Sequence, residues 1–141
     1  MSNVQGVNVT KYDAGTSDTT WIPSGLIKSG IKVWSDVYTA AALAAAQTIG
    51  LAQLPDGAVV HGVLLLHGAL GAGVTLTIGD SDTAARYTSA IVCTAEGSAL
   101  GDKVGGSGYV IGTNTGDGEI IATVGVGAAT GDIRLVVLYT N

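Results

Sequence analysis

Phenylalanine is absent from this chain, cysteine occurs once, proline twice, and only 12% of the residues are charged. Each shortage closes off a class of protein. A single cysteine, Cys93, cannot form an internal disulfide, so the chain is not a small scaffold that replaces its core with bridges. Six lysines and arginines, spread from Lys11 to Arg134 against a net charge of −5, cannot line one face with the cations that nucleic acid requires. An anionic membrane surface is disfavoured for the same reason. The longest apolar stretch, residues 58–70, holds His61 and His67 and is too short to span a bilayer. The opening Met1-Ser2-Asn3-Val4-Gln5 lacks the basic and apolar stretches of a secretory signal, which predicts a soluble protein made in a cytosol.

What is abundant is aliphatic and small. Hydrophobic residues make up 47% of the 141, with aromatics at only 5%, so burial has to rest on Val, Ile, Leu and Ala. A chain of this length builds one core and buries roughly 68–70% of the surface its unfolded form exposes, enough to dispense with disulfides or a structural metal. The charged share is about half that of an ordinary protein, so much of the folded surface is uncharged and poorly defended against association. That points to a protein that lives in contact with partners. The 22 glycines show no three-residue period and mark turns and close approaches instead.

Residues 1–30 are rich in Gly, Ser, Thr, Asp and Asn around an apolar island, Trp21-Ile22-Pro23, and predict an extended arm with one aromatic anchor. Residues 31–141 then read as one β-sandwich domain. Over 31–39, Ile31, Val33, Ser35 and Val37 alternate with Lys32, Trp34, Asp36 and Tyr38, the pattern of a half-buried strand. The second set puts two large rings beside charges, which suits a surface that meets a partner. The Ala-rich run 39–47 is ambiguous, because alanine is the best helix former and Asp36 could cap a short helix. Further strands are expected over 48–54, 58–70, 74–79, 87–93, 109–113, 119–126 and 133–139. Between them lie turns such as Pro55-Asp56-Gly57 and Asn114-Thr115-Gly116-Asp117-Gly118. In 58–70 the even positions Val60, Leu64, Leu66 and Leu70 make one apolar face. The whole predicts an all-β jelly roll or β-sandwich of about eight antiparallel strands.

No constellation carries chemistry. His61 and His67 sit about 20 Å apart along one strand at 3.3 Å per residue, too far to share a metal ion. Asp80 and Asp82 match the first half of a calcium loop, but the glycine and glutamate that complete it are missing. An Asx-type turn with Arg86 paired to one carboxylate is the simpler expectation. No Gly-x-Ser-x-Gly elbow is present, and Gly105-Gly106-Ser107-Gly108 lacks the lysine of a phosphate loop. Cys93, following Ile91 and Val92, reads as a buried, inert thiol. The expectation is therefore no enzyme, no metal and no cofactor.

The run from Thr48-Ile49-Gly50-Leu51-Ala52 through Leu54-Pro55-Asp56-Gly57-Ala58-Val59-Val60 continues to Gly71-Ala72-Gly73-Val74-Thr75-Leu76 and Gly79-Asp80-Ser81-Asp82 with Arg86-Tyr87. Over residues 31–140 this pattern resembles the jelly-roll cementing proteins of short-tailed phages. The resemblance implies a jelly roll on the outer surface of a virion, made in the bacterial host cytoplasm. It implies pairing as a homodimer and stapling of neighbouring major capsid proteins. It also implies strand and loop for the Ala-rich run, and it carries over no active-site residue. The candidate partner contacts are Trp21 and Ile22 on the arm and Trp34 and Tyr38 on the first strand. The same rings would serve the alternative reading, a carbohydrate- or receptor-binding jelly roll.

Overall fold

The computed structural model describes residues 30–141. Apart from Gly30, the arm expected over residues 1–30 lies outside the described residues, and Trp21 and Ile22 lie there with it. Among the described residues there are nine strands and no helix: β1 (Lys32–Leu43), β2 (Thr48–Gln53), β3 (Val59–His67), β4 (Thr75–Gly79), β5 (Ile91–Val92), β6 (Gly97–Leu100), β7 (Tyr109–Val110), β8 (Glu119–Val124) and β9 (Ala129–Thr140). All strand pairs are antiparallel. One sheet has the order β1-β9-β3-β6, with β7 also paired to β3, and the other has the order β2-β8-β4-β5. This is the all-β sandwich of jelly-roll type that alternating aliphatic segments and glycine-rich turns predict, with one strand more than about eight.

The core lies between the sheets and is almost wholly aliphatic. Val60, Val63 and Leu65 of β3 and Ile133, Leu135 and Val137 of β9 cluster with Ile49 and Leu51 of β2, Leu76 and Ile78 of β4, and Ile120, Ala122 and Val124 of β8. Branched side chains fill the space between two sheets about 10 Å apart without needing a large ring.

The Ala-rich run is strand and turn. β1 stays in register with β9 from Lys32↔Tyr139 to Ala40↔Gly131, and after an irregularity reaches Leu43↔Ala129. Ala42 and Ala46 adopt positive φ values of 52° and 70°. The Ala42 N–H donates to Thr130 Oγ1 (3.0 Å) and the Ala46 N–H to the Val124 carbonyl (2.8 Å). Alanine's helix preference amounts to a few tenths of a kcal/mol per residue, about 0–0.7 against other ordinary residues, and pairing with β9 overrides it.

Two bulges decide which side chains face inward. In β3, Val60 pairs with Tyr139 and Gly62 with Leu138, so His61 is an extra residue. The inward parity therefore switches from Val60 to Val63, Leu65 and His67, and the even-numbered apolar face expected from the sequence is split. Val60 is buried, whereas Leu66 is exposed. In β2, Gly50 pairs with Ile121 and Ala52 with Ile120, leaving Leu51 as the extra residue. Its carbonyl is taken by the indole N–H of Trp34 from the opposite sheet, at 3.1 Å.

That bond fixes the orientation of β1, and it reverses the sidedness the apolar alternation suggests. Trp34 and Ala40 turn toward the core, while Val33 is 60% exposed and Val37 lies on the same outer face. An indole carries more apolar area than a valine and also supplies the donor that the bulged carbonyl needs. Trp34→Phe keeps the ring and removes the donor. It should lower unfolding stability by about 1–2 kcal/mol in urea titrations, because the buried Leu51 carbonyl loses its partner.

Candidate partner interface

The outer face of the five-stranded sheet carries a contiguous set of exposed aliphatic side chains. The strand registers align its side chains in rows across the sheet. Val33 of β1 stands beside Leu138 of β9, with Gly62 of β3 beyond it. The next row is Ser35, Val136, Leu64 and Leu100, and the third is Val37, Arg134, Leu66 and Ser98. Leu100 is 72% exposed, and Val33, Val37, Leu66 and Leu138 are all exposed. With strands about 4.8 Å apart and same-face residues about 7 Å apart, the patch covers on the order of 300 Å². Patches of that size are often functional. Arg134 is the one charge within the three rows.

Alternation along β1 alone does not reveal this face, yet two runs announce it. Val63-Leu64-Leu65-Leu66 in β3 and Leu135-Val136-Val137-Leu138 in β9 are apolar at consecutive positions. A strand of that kind places aliphatics on both faces of its sheet, and a two-layer sandwich covers only one of them.

Of the two candidate rings on β1, Tyr38 is 40% exposed. Trp34 is half-buried against the core, with its N–H committed to Leu51. The two share a strand face, but the structure gives them different surroundings. Trp21 and Ile22 lie outside the described residues.

The residues weighed for chemistry are all engaged structurally. His61 Nε2 lies 2.9 Å from Thr140 Oγ1. The buried His67 places Nδ1 2.9 Å from the Gly68 carbonyl, so this nitrogen carries the proton and donates. Cys93 is fully buried, and burial pushes its thiol up to about 11. Among the described residues, no group of three or more His, Cys, Asp or Glu side chains is placed to hold a metal ion.

At Gly79-Asp80-Ser81-Asp82 the expected turn is present. Asp80 is buried, and its Oδ1 accepts the N–H groups of Asp82 (3.0 Å) and Thr83 (2.7 Å). Arg86 Nε donates to the other oxygen, and Arg86 Nη2 reaches Asp82 at 2.9 Å. The guanidinium therefore fills the space that a cation would need. It also stacks on Tyr109, 4.0 Å from the ring centroid, and Tyr109 donates its hydroxyl to Asp117 (2.8 Å). Asp117 accepts the N–H groups of Gly112 and Asn114 as well. One chain of contacts thus ties the 80–86 loop to the 109–117 loop. Burial pushes the Asp117 carboxyl up, but these three donors outweigh it and hold the group below its usual range.

Arg86→Leu leaves the Asp80 carboxylate buried without its counter-charge, so it should cost about 3–5 kcal/mol of unfolding stability. Thermal and urea denaturation at neutral pH would measure the loss. Asp117 has a depressed folded-state pKa, so its contribution is present above the unfolded value of roughly 4 and is lost as pH falls through the folded value. The stability difference between the native chain and Asp117→Asn should accordingly shrink below about pH 4.

No protein-family model matches the chain, and no curated protein matches it. Solved structures do share its architecture. A chain of the Cyanophage Pam1 capsid asymmetric unit aligns at 24% identity over 99% of this chain and 99% of that one, with a TM-score of 0.66. A chain of the capsid of Ralstonia phage GP4 aligns at 21% identity over 85% and 88%, with a TM-score of 0.62. A chain of the acidic stable capsid structure of Helicobacter pylori bacteriophage KHP30 aligns at 19% over 80% and 89%, with a TM-score of 0.60. At these identities the likeness establishes a common fold, and the three chains named come from phage capsids.

Proposed function

We propose that this chain is a structural protein of a phage virion. It is made in the host cytoplasm, sits on the outer surface of the capsid as a homodimer, and staples neighbouring major capsid proteins as cementing proteins do. It has no catalytic role and engages neither nucleic acid nor membrane. The observation that carries this reading is the aliphatic outer face of the five-stranded sheet, on a fold shared with chains of three phage capsids.

The physics suits the role. A cementing subunit binds sites that exist only once the shell has formed, so it stabilises the assembled state by mass action. Modest contacts suffice when they are repeated over a shell, provided each copy excludes water from a well-packed apolar patch. The rows from Val33 to Leu100 supply such a patch, while Tyr38 is an exposed ring on the opposite face of the same edge strand. The alternative, a carbohydrate- or receptor-binding module, would draw on exposed rings for stacking. With Trp34 tied to Leu51, it retains one exposed ring of the two on β1.

A triple substitution, Val33→Ser, Val37→Ser and Leu100→Ser, removes exposed aliphatic groups and leaves the core intact. Co-sedimentation with purified heads of the parent phage should fall at least about tenfold, as expected when central apolar contacts are lost. The β-type circular dichroism should be unchanged. Undiminished occupancy of the heads would refute the reading, and selective retention on a glycan array would favour the alternative.

A further inference from the structure

Among the described residues, β1 is the terminal strand of its sheet and, with β9, one of the two longest, at 12 residues. Its N–H and C=O groups do not all face β9. The Asp132 carbonyl accepts the Gly68 N–H at 2.9 Å, on the β3 side of β9. In an antiparallel ladder, direction alternates residue by residue, so Arg134, Val136 and Leu138 also bond toward β3. Ile133, Leu135, Val137 and Tyr139 then bond toward β1, where they meet Tyr38, Asp36, Trp34 and Lys32. The remaining β1 residues, Val33, Ser35, Val37 and Thr39, turn their N–H and C=O groups to the outer edge of the sheet. Such a row is a template for strand addition by another chain.

One of those outward groups is already occupied. The Val37 N–H donates to Oδ1 of the neighbouring Asp36 at 2.8 Å. Asp36 and Val37 are both exposed, so no burial demands this bond. Beyond Thr39 the edge ends in the irregularity between Ala40 and Leu43, and before it stands Lys32. Among the described residues the stretch open to pairing is therefore 33–39, with Asp36 at its centre. Two copies of that stretch brought together antiparallel about a two-fold axis at Asp36 would set Val37 opposite Ser35 of the other copy, so the Val37 N–H is needed for pairing. The same register would set the two Asp36 carboxylates opposite one another, where like charges repel.

We propose that Asp36 guards the outer edge of β1 against pairing with β1 of a second copy. It does so by holding the Val37 N–H and by placing a negative charge at the centre of the only symmetric register centred on the open stretch. The guard confines association to the aliphatic face of the sheet and denies the chain an edge-to-edge route to larger aggregates. It operates on the isolated protein and does not depend on the virion role.

The test compares three full-length chains: the native protein, Asp36→Ala, and Asp36→Ala combined with Ser35→Pro. Proline at 35 removes an N–H that points to the edge, not to β9, so it costs no internal ladder bond. Mass is followed by light scattering across a concentration series, and amide exchange is followed at Val33, Ser35 and Val37. Asp36→Ala should at least double the native mass as concentration rises, with exchange at those amides slowed about tenfold or more. The double variant should return to the native mass. The proposal is overturned if Asp36→Ala keeps the native mass throughout. It is overturned equally if the chain associates without protecting these amides, or if proline at 35 fails to reverse the association.

Discussion

A strand with aliphatic side chains on both of its faces cannot be satisfied by one sandwich, and β9 is such a strand. Ile133, Leu135 and Val137 fill the space between the sheets, while Val136 and Leu138 stand on the other side with Leu64 and Leu66 of β3 beside them. Burying the inner set stabilises the fold. The outer set is only partly covered in the isolated molecule, and covering the rest would gain roughly 25 cal/mol per Å² of apolar surface removed from water. The low charge of the sequence and the exposed aliphatic rows are therefore two views of one property, a surface with little to keep water on it.

Polar chemistry in this molecule is spent on geometry. The Trp34 indole answers a carbonyl that a bulge in β2 leaves unpaired, and so joins the terminal strands of the two sheets. Arg86 neutralises a buried carboxylate and lies against Tyr109, whose hydroxyl continues to Asp117. Loops that in another protein could carry a metal or a substrate are here locked to one another. Opening either loop would break several of these contacts at once.

The all-β sandwich was legible because period-2 alternation and turn chemistry both survive folding. Most strands lie where the alternation places them, and the Asp80 turn with its Arg86 partner follows from spacing alone. The Ala-rich run shows where local reading stops, since its conformation is settled by pairing with β9, some 90 residues further along. Sidedness was not legible. A period of two says that Val33 and Val37 share a face, but not which face, and a single inserted residue such as His61 or Leu51 exchanges inside for outside with no mark in the composition. The outer patch was therefore overlooked on β1, although the consecutive aliphatics of β3 and β9 carried its signal. The guard at Asp36 depends on which amides point outward, a property of the assembled sheet.

The pairing of β1 with β9 also governs when the molecule can come into being. Lys32 meets Tyr139, so the first of the nine described strands pairs with the ninth. A ribosome must release nearly the whole domain before this sheet can close, and the entropy of closing so long a loop has to be met before any contact between these strands rewards it. Until then the outer and inner aliphatics of the nascent chain are equally bare. Closure of this sheet is thus set by topology, and until β9 is available the strands that await it are open to misassociation.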